Sequence, residues 1–148
     1  MKDKTIDYIL RTTWLAVQKM YNEEAAKFES TMATGFTLLS IDPEKGTAST
    51  ALGPKMGMEA TSLSRILKTM EAKGLIERHP NPEDGRGVII CLTDFGREKR
   101  NNSREKVLTF NEAIKKKIPE EKLNHFYEVA EIINDMISNK KIYDQNDK

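Results

Sequence analysis

Apolar residues in the first segment recur at helical intervals. Ile6, Leu10, Trp14, Val17, Tyr21 and Phe28 stand three, four or seven positions apart, the spacing of one face of an α-helix. Lys19, Asn22, Glu23, Glu24 and Lys27 fill positions between them, so a long amphipathic helix is predicted. A short helix follows over about residues 34–41, with Phe36 and Leu39 turned inward. The run Asp42-Pro43-Glu44-Lys45-Gly46 ends it, because Pro and Gly both suit a break there.

From Thr47 the elements shorten. Thr47, Ser49 or Thr50 can cap a brief helix carrying Leu52 and Met56, in which Pro54 fits only within the first turn. Gly57 marks a corner. A second helix is predicted over about residues 59–73, with Leu63, Ile66, Leu67 and Met70 on one face. Gly74 suits the left-handed position after its end, and Glu59 and Lys73 complement its dipole. Strands are predicted at 75–79 and 88–92, where Val88, Ile89 and Ile90 are β-branched. The intervening residues 80–87 are rich in turn formers, which gives a hairpin with a long polar tip.

Thr93 can cap a helix over 94–117, with Asp94 in its first turn. Val107, Leu108, Phe110 and Ile114 make its later part amphipathic. Pro119, Glu120 and Glu121 open a last helix. There Leu123, Phe126, Ala130, Ile133 and Ile137 form a heptad-like seam. Val129, Ile132 and Met136 widen it, so burial on two sides is expected. The polar tail, 140–148, is expected to fray.

The 148 residues suit one domain, enough to hide roughly 70% of the extended surface. One Cys excludes an intramolecular disulfide and fits a reducing compartment. The longest apolar run, 88–92, is too short to cross a membrane. Asp3, Lys4, Asp7 and Arg11 interrupt the first segment in a way foreign to signal and transit peptides. A soluble, cytoplasmic protein with no membrane partner is expected. Net charge is +1, yet residues 44–106 hold 12 basic and 9 acidic groups while both flanking segments carry one acidic group in excess. That is a mild pointer to an anionic partner.

Helix, helix, two-stranded hairpin, helix is the order of a winged helix-turn-helix. Within residues 62–97 stand Ser64-Arg65, Met70-Glu71-Ala72-Lys73-Gly74-Leu75-Ile76, Asp84-Gly85-Arg86 and Leu92-Thr93-Asp94-Phe95-Gly96. In this order and spacing they resemble the MarR family of bacterial transcription regulators. Two positions depart from its pattern. Leu52-Gly53-Pro54 replaces the usual Leu-Ala-x, which makes the first helix of the motif a candidate for irregularity. Gly87 stands where a polar or basic residue is frequent, which would loosen the wing tip or thin its phosphate contacts. The resemblance implies a mainly α fold with a small β wing. Residues 1–148 would form a single MarR-like domain, with 34–100 as its DNA-binding part and 1–33 and 101–148 as dimerisation helices.

With Leu63, Ile66, Leu67 and Met70 inward, Thr61, Ser62, Ser64, Arg65 and Lys68 fall on the outer face. Hydroxyls, a forked guanidinium and an ammonium there can meet base edges and phosphates. Arg86 is placed to enter a minor groove. Asp84 either orients Arg86, ties the wing to Arg65, or simply stabilises the turn. Catalytic chemistry has little footing. His79 and His125 lie far apart without metal-ligand spacing, and neither a P-loop nor a Gly-x-Ser-x-Gly elbow occurs. No catalytic group, cofactor or metal is expected. His79 should pack at the strand–loop junction and His125 should lie on the surface. Cys91 should be a buried, inert thiol. Some members of the family sense oxidants through a Cys near the N-terminus, which this chain lacks.

The resemblance further implies a homodimer, built through the Leu123/Phe126/Ala130/Ile133/Ile137 seam and the first helix. It implies a small aromatic effector as well, for which Trp14, Tyr21, Phe28, Met32 and Phe36 are candidate lining residues; core packing is the competing use. The expected function is a sequence-specific DNA-binding transcription regulator, a ligand-released repressor on a pseudo-palindromic operator. The alternatives are a winged-helix protein–protein module without DNA affinity and a small-molecule-binding or catalytic helical protein. A DNA binder should put Lys55, Arg65, Lys68 and Arg86 on one surface.

Overall fold

A computed structural model describes residues 4–143. The chain runs α1 (Ile6–Ala26), α2 (Met32–Ser40), β1 (Thr47–Ala48), α3 (Ser49–Met56), α4 (Ala60–Ala72), β2 (Ile76–Asn81), β3 (Asp84–Leu92), α5 (Asp94–Lys117) and α6 (Glu120–Ser138). Two compact units are present, Met1–Lys106 and Val107–Lys148.

In the first unit, Thr5 caps α1 by accepting from the Tyr8 N–H at 3.3 Å. The helix stops before Phe28, the last member of the predicted stripe, which lies in a turn that Glu29 closes at φ 55°. Thr31 caps α2 by accepting from the Thr34 N–H, so that helix begins earlier than expected. Its inward face is Thr34, Thr37 and Leu38, while Phe36 and Leu39 are only half-buried. Thr37 tolerates this depth because its hydroxyl donates to the Ala33 carbonyl at 2.7 Å, so its own polar group is met.

The Asp42 carboxylate accepts from the Glu44 and Lys45 N–H groups, both at 2.9 Å. Those bonds hold its pKa below the ordinary carboxylate value. Gly46 closes this turn at φ 74°, where a Cβ would lie 2.7 Å from the Ile90 carbonyl oxygen. The close approach brings in β1, which the sequence reading missed: Thr47 pairs with Ile90 and Ala48 with Ile89. All pairings are antiparallel, in the order β1-β3-β2.

None of the predicted side-chain caps serves α3. Its cap residue is Ala48, and the Thr47 hydroxyl accepts from the Asp42 N–H instead. Pro54 lies beyond the first turn, yet the helix ends only two residues later, so few intrahelical bonds are forgone. The Gly53 carbonyl accepts from Met58 at 2.9 Å. Gly57 turns the chain at φ 65°. The irregularity expected at Leu52-Gly53-Pro54 does not arise; Gly53 is buried, with room for little more than its hydrogens.

Leu38, Ile41, Leu52, Leu63, Leu67, Met70, Leu75, Ile76, Ile90 and Leu92 form the buried core. It therefore joins α2, α3 and α4 to the sheet. At its rim, the Thr93 hydroxyl donates to the Gly74 carbonyl at 2.6 Å and accepts from the Gly96 N–H at 2.9 Å. Arg97 ties α5 to the turn before β1, donating from Nε to the Pro43 carbonyl at 3.0 Å.

The second unit holds the end of α5 and all of α6, which starts after Pro119. No residue of α6 is buried within the chain, so the burial expected on two sides is not supplied by this chain alone. Leu123, Ala130 and Ile133 are half-buried, while Phe126, Val129, Ile132 and Ile137 are exposed. The helix ends at Ser138. Of the tail expected to fray, 144–148 lie outside the described residues. Among the described residues, no helix is long and apolar enough to cross a membrane.

Gly96 generates a prediction. A Cβ there would fall inside contact distance of the Leu75 carbonyl oxygen, whereas one at Gly85 would meet nothing within 4 Å. Gly96→Ala should cost ~3 kcal/mol or more by overpacking against backbone, and Gly85→Ala should be nearly neutral, as read by urea denaturation. Equal midpoints for the two variants would contradict the packing described.

Candidate nucleic-acid interface

Helix α4 divides cleanly by exposure. Leu63, Leu67 and Met70 are buried and Ile66 half-buried, while Thr61, Ser62, Ser64, Arg65 and Lys68 are all exposed. The turn that sets this angle is local: Gly57 in the left-handed region, then Glu59 extended before the helix. Gly74, at φ 74°, releases the chain into the hairpin. Among the described residues, nothing in the protein pairs with the Arg65 guanidinium or the Lys68 ammonium. Lys55 is committed elsewhere, donating to the Ser40 carbonyl at the end of α2 at 2.7 Å.

The hairpin is tighter than the long tip expected. Strand pairing holds one register from Ile76↔Leu92 to Pro80↔Val88, then shifts so that Asn81 faces Asp84. The reversal narrows to Pro82 and Glu83, and Gly85, Arg86 and Gly87 bulge from β3. Pro80 is accommodated because β2 lies at the sheet edge, where a missing N–H need not break a ladder. The Asp84 carboxylate accepts from the backbone N–H of Arg86 at 3.1 Å, and the Asn81 side chain from that of Glu83 at 3.0 Å. Arg86 itself is exposed. Asp84 forms no ion pair with Arg86 or Arg65 among the described residues.

A different pair links wing to helix. Arg78 of β2 donates from Nε to the Glu71 carboxylate of α4. Beside them opens a cleft of about 550 Å³ lined by Ser64, Lys68, Glu71, Ala72 and Arg78. The sequence reading did not single out Arg78. Strand alternation was the available signal: Arg78 is two residues from buried Ile76 and opposite buried Ile90, so it shares the face turned to α4.

The aromatic candidates fall into separate groups. Tyr21 and Phe36 meet edge to face with centroids 5.7 Å apart, and burial raises the Tyr21 pKa. Phe28 is exposed beneath the Lys99 and Lys106 ammonium groups, at 5.9 and 5.6 Å. Lys106 also bonds Glu24, whose pKa is lowered mainly by its hydrogen bond from Lys27, and then by that from Lys106. Met32 is half-buried, its N–H donating to the Asn22 side chain at 3.0 Å. Trp14 is exposed on α1. His79 does not pack at the strand–loop junction; it faces solvent, 3.2 Å from Glu77. The reason is strand alternation, which puts His79 with Glu77 on the face opposite Ile76 and Arg78. His125 is exposed as expected, and Cys91 is half-buried rather than fully buried. Among the described residues, no group of three or more His, Cys, Asp or Glu could hold a metal ion.

An outward helix after a turn, braced to a β-hairpin by an ion pair, places the chain among the winged helix-turn-helix proteins. Residues 31–88 match the sequence model of the MarR family. The multiple antibiotic resistance protein MarR of Escherichia coli (strain K12) is 32% identical over 78 residues, 53% of this chain and 54% of that protein. The HTH-type transcriptional regulator SarZ of Staphylococcus haemolyticus (strain JCSC1435) is 28% identical over 89 residues, 60% of each chain. The chain spans between a quarter and three fifths of the length of the first curated relatives it matches. Those first relatives are HTH-type transcriptional regulators by name. In fold, the chain is similar to the crystal structure of the S. aureus MepR–DNA complex, with a TM-score of 0.78 at 19% identity over 93% of this chain and 99% of that one.

The bond from Asp84 to the wing tip makes a local prediction. Asp84→Ala should speed hydrogen exchange at the Arg86 amide roughly tenfold, the size of one such bond. Asp84→Asn, which keeps an oxygen acceptor, should stay within about twofold of the parent. Native-state exchange by NMR checks both.

Proposed function

We propose that this protein is a sequence-specific DNA-binding transcription regulator that acts in the cytoplasm as a homodimer on a pseudo-palindromic operator. The observation that carries the reading is the exposed face of α4, where Thr61, Ser62, Ser64, Arg65 and Lys68 stand clear of the core and both cations lack a partner among the described residues. In the proposed docking, α4 enters a major groove and Arg86 the neighbouring minor groove. Asp84 holds the tip backbone from which Arg86 projects. Residues 34–100 do this work, and 1–33 with 101–148 supply the dimer.

Exposed apolar side chains support the dimer. Ile6, Leu10, Trp14 and Leu15 on α1, and Phe126, Val129, Ile132 and Ile137 on α6, are too many for a soluble monomer to leave in water. An obligate interface commonly covers ~2,000 Å² or more. Repression released by a small aromatic ligand is the regulatory part of the proposal, with Tyr21, Phe28, Met32 and Phe36 as lining and Trp14 beside the dimer surface.

The test is titration on duplexes selected from genomic fragments. Arg65→Ala should cost ~1–3 kcal/mol and relax preference at one base pair per half-site. Arg86→Ala should lower the magnitude of the salt slope by ~1 per wing while leaving thermal stability nearly unchanged. Parent-like affinity and slope in both variants would favour the protein–protein module instead. Separately, Ile133→Asp should shift sedimentation towards monomer or aggregate; an unchanged dimer would remove α6 from the interface.

A further inference from the structure

The cleft between α4 and β2 contains a cation that the docking above does not use. We propose that Arg78, held by Glu71, contacts a DNA backbone phosphate and forms with Lys68 and Ser64 the seat for that phosphate at the base of the wing. This inference rests on the DNA-binding reading.

Three observations carry it. First, the geometry leaves Arg78 half engaged. Its Nε–H donates to the Glu71 carboxylate, while no protein group accepts from its two Nη groups among the described residues. An arginine pinned through Nε keeps a planar pair of amino groups for a second oxygen acceptor, the fork that suits phosphate. Second, the surroundings are right for that acceptor. Lys68 and Ser64 line the same cleft, and Lys68 has no partner among the described residues. Third, the place is dictated by duplex geometry. A major groove and the minor groove next to it are separated by one sugar–phosphate strand. If α4 lies in one and the wing tip in the other, that strand must pass the junction of α4 and the hairpin, which is this cleft.

Glu71 is then a positioning residue. Its carboxylate fixes the guanidinium, and its charge opposes the phosphate that the guanidinium receives. The pair is substantially exposed, with 35% of the Arg78 side chain and 49% of the Glu71 side chain accessible. Such a pair contributes little to folding, so its removal should be visible in binding and not in thermal stability.

The experiment titrates the parent chain, Arg78→Ala, Arg78→Lys, Glu71→Gln and Glu71→Ala on a selected duplex and on a random one, at several salt concentrations. Melting by circular dichroism is run beside it. Arg78→Ala should weaken both duplexes alike, by roughly tenfold, and lower the magnitude of the salt slope by ~1 per protomer. Arg78→Lys should restore the slope but only part of the affinity, since an ammonium cannot fork. Glu71→Gln loses the opposing charge yet keeps an oxygen for Nε–H, and Glu71→Ala loses both. Glu71→Gln should therefore bind more tightly than Glu71→Ala, by severalfold, although the two have the same net charge. A parent that binds duplex together with an Arg78→Ala variant of equal affinity and slope overturns the phosphate seat and leaves the DNA reading standing. Equal affinities for the two Glu71 variants overturn the positioning role. A parent chain that retains no duplex at all overturns the underlying reading, and this one with it.

Discussion

The structure turns on a single polar joint, where the end of α4, the start of β2 and the first turn of α5 meet. The backbone N–H of Thr93 donates to the Leu75 carbonyl at 3.1 Å, and its hydroxyl reaches the Gly74 carbonyl. The same hydroxyl caps α5 through Gly96, whose missing side chain lets the helix press against Leu75. These groups answer two requirements at once. The Gly74 and Leu75 carbonyls that follow α4 are satisfied, and the helix that follows the sheet gains its N-cap. One threonine hydroxyl thereby sets the relation of α4 to the strands, and with it where Arg65 stands relative to Arg86.

Much of this was legible in the sequence, and the reasons differ by element. Both α4 and α5 were readable because periodicity and punctuation agree: Leu63, Leu67 and Met70 end at Gly74, and Thr93 precedes Asp94. The turns at Gly46, Gly57 and Gly74 were readable because each needs the left-handed region that glycine enters freely. Strand β1 was not readable. Two residues cannot show an alternation, and Thr47 and Ala48 are extended only because Gly46 allows the chain to lie against β3. The hairpin tip misled because turn-forming residues at 80–87 look like a loop, whereas an edge strand tolerates Pro80 and a bulge absorbs both glycines. For α6 the pattern gives an apolar face but not what covers it, since a heptad-like seam reads the same whether its partner is in the chain or outside it.

The candidate site was legible in its outer-face residues for a simple reason. Once the core positions of an isolated amphipathic helix are known, the exposed ones follow by rotation. Arg78 escaped because its significance is relational. Only the register that sets it opposite Ile90, and the approach of α4 behind it, bring it to Glu71. Charge shows the same distinction. A net charge of +1 says little, because it does not separate basic residues engaged within the chain from those that are not. Arg97 bonds Asp94 and the Pro43 carbonyl, Lys106 bonds Glu24, and Lys55 bonds Ser40. The charged groups of Arg65, Lys68 and Arg86, by contrast, have no partner among the described residues and stand exposed.

The position of Pro80 has a consequence for how molecules of this protein meet one another in concentrated solution. The outer side of β2 is the open margin of the sheet, and open margins recruit strands from neighbouring molecules into amorphous or fibrillar material. A proline one residue from the end of that strand has no N–H to offer an incoming strand. Glu77, Arg78 and His79, next to it, add charge or polarity, and the bulge at residues 85–87 twists the end of the ribbon away from flatness. The wing thus remains a long, exposed β-hairpin that carries its own barrier to growing by addition of further strands.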